Sequence, residues 1–138
     1  MISLLLRTAL VAAATCFWTT TAAQSPDRVE ILFLDVAQGD AIVIRSPEGD
    51  VALIDAGPDN ETFDQLRQHG IEAVDIAIAT HAHADHIGGM ERVVRSMPVR
   101  FYMDNGIPHT TATYHGLIEA LRASAVTYLQ ARDRKISL

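Results

Sequence analysis

One stretch limits what this chain can fold into more than any other. The apolar run Val74-Asp75-Ile76-Ala77-Ile78-Ala79-Thr80 leads straight into His81-Ala82-His83-Ala84-Asp85-His86, and Ile87-Gly88-Gly89 follows at once. A run of this length, rich in isoleucine and bounded by turn signals, predicts a buried strand. That strand delivers three imidazoles and a carboxylate to one loop. If the backbone stays extended, His81 and His83 are two residues apart and point to the same side, as two ligands of one ion must. Asp85 and His86 are adjacent, would diverge in such a backbone, and are better placed for a second ion. Imidazole nitrogen and carboxylate oxygen both suit zinc at about 2.0–2.2 Å, and the same donors tolerate manganese or iron. Polar residues solvating a loop, or a single structural metal knot, are the plainer alternatives. They account poorly for four potential ligands in six residues placed between a strand and a glycine pair.

At these residues the chain resembles a known family. His-x-His-x-Asp-His followed by Gly-Gly is the signature of the metallo-β-lactamase fold. The stretches Phe33-Leu34-Asp35-Val36-Ala37-Gln38-Gly39-Asp40 and Leu53-Ile54-Asp55-Ala56-Gly57 are similar to its branch in the extracytoplasmic domain of the DNA-uptake competence protein ComEC. The resemblance extends over nearly all of the chain after residue 28, with Ala37 standing where that branch usually has glycine. It implies an α/β fold, the N-terminal half of a four-layer αβ/βα sandwich, and a secreted hydrolase whose two zinc ions activate a water. His81, His83, Asp85 and His86 would be the metal ligands, and Asp85 would also orient the nucleophile or relay its proton. Asp55, by itself a plausible turn cap, becomes a residue that accepts hydrogen bonds from the metal loop and orients its imidazoles. The family's further ligands come from Leu-Leu-Thr-Gly-Asp-like and His-His-Gly-Ser-like stretches, and neither occurs in these 138 residues. The expectation is therefore a truncated domain over 24–138 that binds metal weakly, with its activity as a fragment left open. Phosphodiesters, DNA among them, are the leading substrates; β-lactams or other esters and amides, and a metal- or partner-binding remnant without turnover, are the alternatives.

The flanking sequence predicts the elements that would carry this site. Val29–Val36 and Ala41–Ile44 read as a hairpin closed by Gln38-Gly39-Asp40, and Val51–Asp55 as a third strand. Asn60 is a candidate cap for a helix carrying Phe63 and Leu66 and ended by Gly70, with His69 solvated. Met90, Val93, Val94 and Met97 make one helical stripe stopped by Pro98. Gly88 and Gly89 at its start are expected to bring backbone N–H groups toward the ions' anionic ligands. Val99–Met103 and Ala125–Leu129 read as strands around a helix capped by Thr110 or Thr111, with the stripe Tyr114, Leu117, Ile118 and Leu121. Asp35 and Asp40 fit turn roles. His115 fits a solvated helix face, and His109 a rim loop where substrate contact is open.

Residues 1–23 hold one charge, Arg7, an apolar stretch from Thr8 to Trp18, and small residues up to Ala23. That is the pattern of a secretory signal peptide, with an uncleaved anchor as the alternative; the stretch is short of the roughly 20 apolar residues a bilayer requires. The expected location is secreted or periplasmic, without stable membrane insertion after cleavage. Cys16, the only cysteine, falls in this leader, so the remaining chain would rely on packing or metal and not on disulfides. Losing Arg7 takes the formal net charge from −6 to −7. That balance excludes the basic stripe of a typical nucleic-acid binder, so ions would have to hold a phosphodiester. Nothing points to a protein partner.

Overall fold

The computed structural model describes residues 28–132 and 135–138, and in it the apolar runs pair as one six-stranded sheet in the order β1-β2-β3-β4-β5-β6. Strands β1 (Glu30–Phe33), β2 (Ile42–Arg45) and β3 (Val51–Ile54) form an antiparallel meander. Strands β4 (Val74–Ile78), β5 (Val99–Asp104) and β6 (Thr127–Gln130) continue parallel to β3. Parallel pairing needs long crossovers. Helix α1 (Glu61–Gln68), the pair α2 (Ala84–Ile87) and α3 (Met90–Ser96), and α4 (Ala112–Arg122) lie in them.

All three crossovers bury side chains in one core. Leu66 of α1, Met90 and Val93 of α3 and Leu117 of α4 are fully buried in one cluster with Val43, Leu53, Val74 and Tyr102 from the sheet. Each large side chain so buried contributes about 1.5–3 kcal/mol against the entropy of ordering the chain. The alternate strand positions face the other way. There Ala52, Ile76 and Met103 form a smaller cluster with Ile44, Ile78, Phe101 and Leu129 only partly covered. Further out on β1, Ile31 pairs with Ile44 and Phe33 with Ile42, and Phe33 is 78% exposed. The described residues thus make a mixed α/β unit of two layers, one helical and one sheet, as expected for half of a four-layer sandwich.

Local signals behaved unevenly. Gly70, at φ 70°, ends α1 as expected, with its N–H on the Arg67 carbonyl and that of Ile71 on Leu66. Asn60 does not cap that helix: it is already helical, and Asp59 accepts the Glu61 N–H at 3.0 Å instead. Thr111 caps α4 by accepting from the Tyr114 N–H at 3.3 Å. The signal-peptide reading of residues 1–23, with Cys16, lies outside the described residues. Among the described residues no helix is long and apolar enough to cross a membrane.

Candidate metal centre

The site is built where β4 leaves the sheet. The Ala79 N–H still bonds the Met103 carbonyl at 2.8 Å, holding the chain against β5 up to the residue before Thr80. His83 is extended at φ −78° and ψ 149°, and its carbonyl then accepts the N–H groups of both His86 and Ile87 at 3.0 Å. The backbone bends at Thr80 and His81, is extended at His83 and turns helical at Ala84. His81 and His83 share one side, with ring centroids 4.6 Å apart. The helical turn folds His86 back beside them, its ring 4.0 Å from that of His81. Asp85 and His86 do not diverge as an extended chain would require. The Asp85 carboxylate lies 3.9 Å from His86 Nε2.

Asp55, at the end of β3, fixes this cluster from beneath. It is buried, at 1% exposure, and held in the left-handed region at φ 56°. One carboxylate oxygen accepts the Thr80 N–H at 2.8 Å; the other accepts the Thr80 hydroxyl at 2.6 Å and His86 Nδ1–H at 2.8 Å. With its proton committed to Asp55, the Thr80 hydroxyl can only accept from His81 Nδ1, 3.1 Å away. One buried carboxylate therefore selects the Nδ1–H tautomer of two imidazoles and leaves both Nε2 lone pairs bare, the form a metal ligand needs. The donor chemistry suits a divalent ion, but His81, His83 and Asp85 do not join a group of three converging ligand atoms among the described residues.

Several close approaches lock the loop. A Cβ on Gly39, whose φ is 75°, would overlap the Asp85 carbonyl, and Gln38 Nε2 donates to the Asp85 carboxylate at 3.4 Å. Gly88 and Gly89 act differently from the expectation that their N–H groups serve the ions. Those N–H groups bond the carbonyls of Ala84 and Gly57, and a Cβ on either glycine would strike the Pro58 or Asp59 carbonyl. The pair allows α2 and α3 to pack on the β3 turn.

Asp40 is closer to the centre than a turn role suggested. Its carboxylate is 3.9 Å from His86 Nδ1, and ligand atoms of Asp40, Asp55 and His86 lie within 4.8 Å of one another. Asp35 stays outside, its N–H bonded to Gln65. His115 is exposed on α4, whereas His109 is half-buried with its ring 5.7 Å from that of His83. Below that rim, the Tyr128 hydroxyl donates to Asp104 at 2.7 Å. Desolvation, with the Asp104 carboxylate adding to it, pushes the Tyr128 phenol up to about 12, and burial raises Tyr102 in the same direction.

This fold and loop define a class of protein. The profile described as "Metallo-beta-lactamase superfamily" matches residues 34–136, and the chain belongs to that superfamily, whose members are hydrolases. Among solved structures, one described as "Crystal Structure of a New Diphosphatase from the PhnP Family" is similar in fold, with a TM-score of 0.50 and 23% identity. The match covers 72% of this chain and 40% of that one, so the chain spans well under half the length of its structural relative. No curated protein matches the sequence.

Proposed function

We propose that the chain carries the metal-binding loop of a hydrolase acting on phosphodiesters or related phosphate esters. His81, His83, Asp85 and His86 would hold two divalent ions, zinc first, with manganese or iron as alternatives. The observation that carries this reading is Asp55. A carboxylate 1% exposed is costly unless fully paired, and here its bonds go to Thr80 and His86 of the loop and turn imidazole lone pairs outward.

Bound ions would supply an acidified water and a counter-charge for the reacting oxygen. The chain's own residues do the rest. Thr80 and Asp55 keep His81 and His86 in one tautomer and orientation. Asp85, its side chain 31% exposed and steadied by Gln38, would orient the attacking water or accept its proton.

The solved relative is described as a diphosphatase, which sets phosphate esters as the substrates to try first. The similarity of Phe33–Asp40 and Leu53–Gly57 to the competence branch supports a DNA phosphodiester within that class, with the acidic balance of −6 arguing that ions and not lysines would grip it. The leader pattern of residues 1–23 supports a secreted or periplasmic location, which N-terminal sequencing of the exported chain checks. For the activity, bis(p-nitrophenyl) phosphate and a chromogenic cephalosporin are compared with the zinc- or manganese-loaded full chain and its Asp85→Asn variant. Phosphodiester turnover that falls at least about 100-fold in the variant is expected. Selective lactam turnover overturns the substrate class, and metal uptake with turnover of neither ester nor lactam overturns the catalytic reading in favour of binding alone.

A further inference from the structure

We propose that the free edge of β1 is a self-association surface, on which a second copy of this chain adds its own β1 antiparallel, so that one sheet runs through both copies. The inference is independent of the metal reading.

The first ground is the backbone. Strand β1 stands at the edge of the sheet and pairs on one side only, with β2. The Leu34 N–H bonds the Ala41 carbonyl at 2.9 Å, and along an antiparallel pair the bonded positions alternate. Leu34, Leu32 and Glu30 therefore bond toward β2, while the N–H and C=O groups of Ile31, Phe33 and Asp35 point away from the sheet. At Asp35 both groups are taken by the Gln65 side chain of α1, which accepts the N–H at 3.1 Å and donates to the carbonyl. Ile31 and Phe33 have no such partner among the described residues. Their side chains are 54% and 78% exposed, and β1 carries no proline, lysine or bulge of the kind that ordinarily keeps an edge from pairing.

The second ground is self-complementarity, which favours a copy of this chain over an extended peptide of arbitrary sequence. A two-fold axis through Leu32 sets Ile31 of each copy opposite Phe33 of the other. These are the residues whose backbone groups are open, so each such pair exchanges both of its N–H···O bonds. On the open face an aromatic side chain then lies against a β-branched one, and on the helix-covered face Leu32 meets Leu32 of the other copy. Gln65 at Asp35 ends the pairing there. Arg28 of each copy arrives at the end where the exposed Asp35 of the other lies, so opposite charges meet at both ends.

Four residues on each side bury less than the roughly 800 Å² per partner of a tight interface, so the association is weak and reversible. Each copy carries a formal net charge of −6, and added salt, by screening the repulsion between copies, should strengthen it.

The test is sedimentation velocity of the full chain from micromolar to several hundred micromolar, for the unmodified protein and for Phe33→Lys, Ile31→Pro and Thr127→Lys. Circular dichroism confirms that each variant folds; proline at position 31 removes only an outward N–H, which an edge strand tolerates. The unmodified chain should pass from monomer to dimer with concentration, both β1 variants should stay monomeric, and Thr127→Lys, on the opposite edge strand β6, should dimerise like the unmodified chain. Register is read by oxidation in a Cys16→Ser background. Leu32→Cys should form a disulfide-linked dimer, since facing non-hydrogen-bonded residues have Cα atoms about 4.5 Å apart, whereas two cysteines from Ile31→Cys stand beyond about 7 Å and should not link. A chain that is monomeric at every concentration overturns the proposal and leaves the edge to an extended segment of another protein or of residues 1–27. A dimer that survives both β1 variants, or is lost in Thr127→Lys, puts the contact elsewhere and overturns it too. Linking at position 31 and not at 32 overturns the register.

Discussion

At the scale of single residues, the chemistry turns on which nitrogen carries a proton. Asp55 decides this for His81 through Thr80 and for His86 directly. Asparagine at position 55 keeps the shape but can offer only one accepting atom. Its amide would face the donors that now meet the second oxygen, and His86 would be driven to the opposite tautomer. Asp55→Asn is expected to cost 10- to 100-fold in zinc affinity, measured by chelator competition. Unchanged affinity in a folded variant would show that the carboxylate only braces the turn. A second residue-scale expectation concerns Ala37, which holds φ 61° where the resembling branch has glycine. A left-handed alanine costs about 1–2 kcal/mol, and glycine gives back part of the relief in unfolded-chain entropy. Ala37→Gly should therefore raise stability by up to about 1 kcal/mol, visible as a higher denaturant midpoint at constant slope.

At the scale of elements, the sequence was most legible where apolar periodicity met a strong terminator. The strand before His81, the α3 stripe from Met90 to Met97 and the Gly70 end of α1 all sit where pattern and turn chemistry placed them. What it hid were relations set by the neighbouring element. The extended reading of the metal loop failed first at the bend over Thr80 and His81 and again at Ala84, where the His83 carbonyl accepts two N–H groups and starts a helical turn. The approach of Asp40 and His109 to the cluster depends on how the β1–β2 and β5–α4 loops lean, and no spacing within one stretch encodes that. The edge strand β6 offers an element-scale test. The Tyr128 phenol, raised from the ordinary 10 to about 12, is neutral in the fold over a range where the unfolded chain ionises. Its contribution to stability is complete below about pH 10 and is lost as pH rises toward 12. Thermal melts across that window should show declining stability, with a shallower decline in Tyr128→Phe.

At the scale of the whole molecule, one face of the sheet carries the core, and among the described residues none covers Phe33 and its neighbours on the other. The amphipathic helices and alternating strands announced the covered face. The layer count was legible through the family resemblance, whereas how far the open apolar face extends became visible only once Ile31 and Phe33 were paired with β2. The described two-layer unit has a modest core, so energy from ligand binding weighs heavily in its stability. His81, His83, Asp85 and His86 lie in the segment that joins β4 to α3, with Asp40 of the β1–β2 loop 3.9 Å from His86, and an ion held there opposes unfolding of that segment. Binding to the folded state alone contributes RT ln(1 + [L]/Kd), about 2.7 kcal/mol at a zinc concentration 100 times Kd. For a domain of this size that corresponds to an increase in Tm on the order of 10 °C. Chelator should reverse the increase, and a His81→Ala, His83→Ala double variant should show little of it. A melting temperature indifferent to saturating zinc, in a protein whose circular dichroism shows it folded, would mean that these loops are held by their hydrogen bonds alone and that the donors crowded at the end of β4 serve some purpose other than binding a cation.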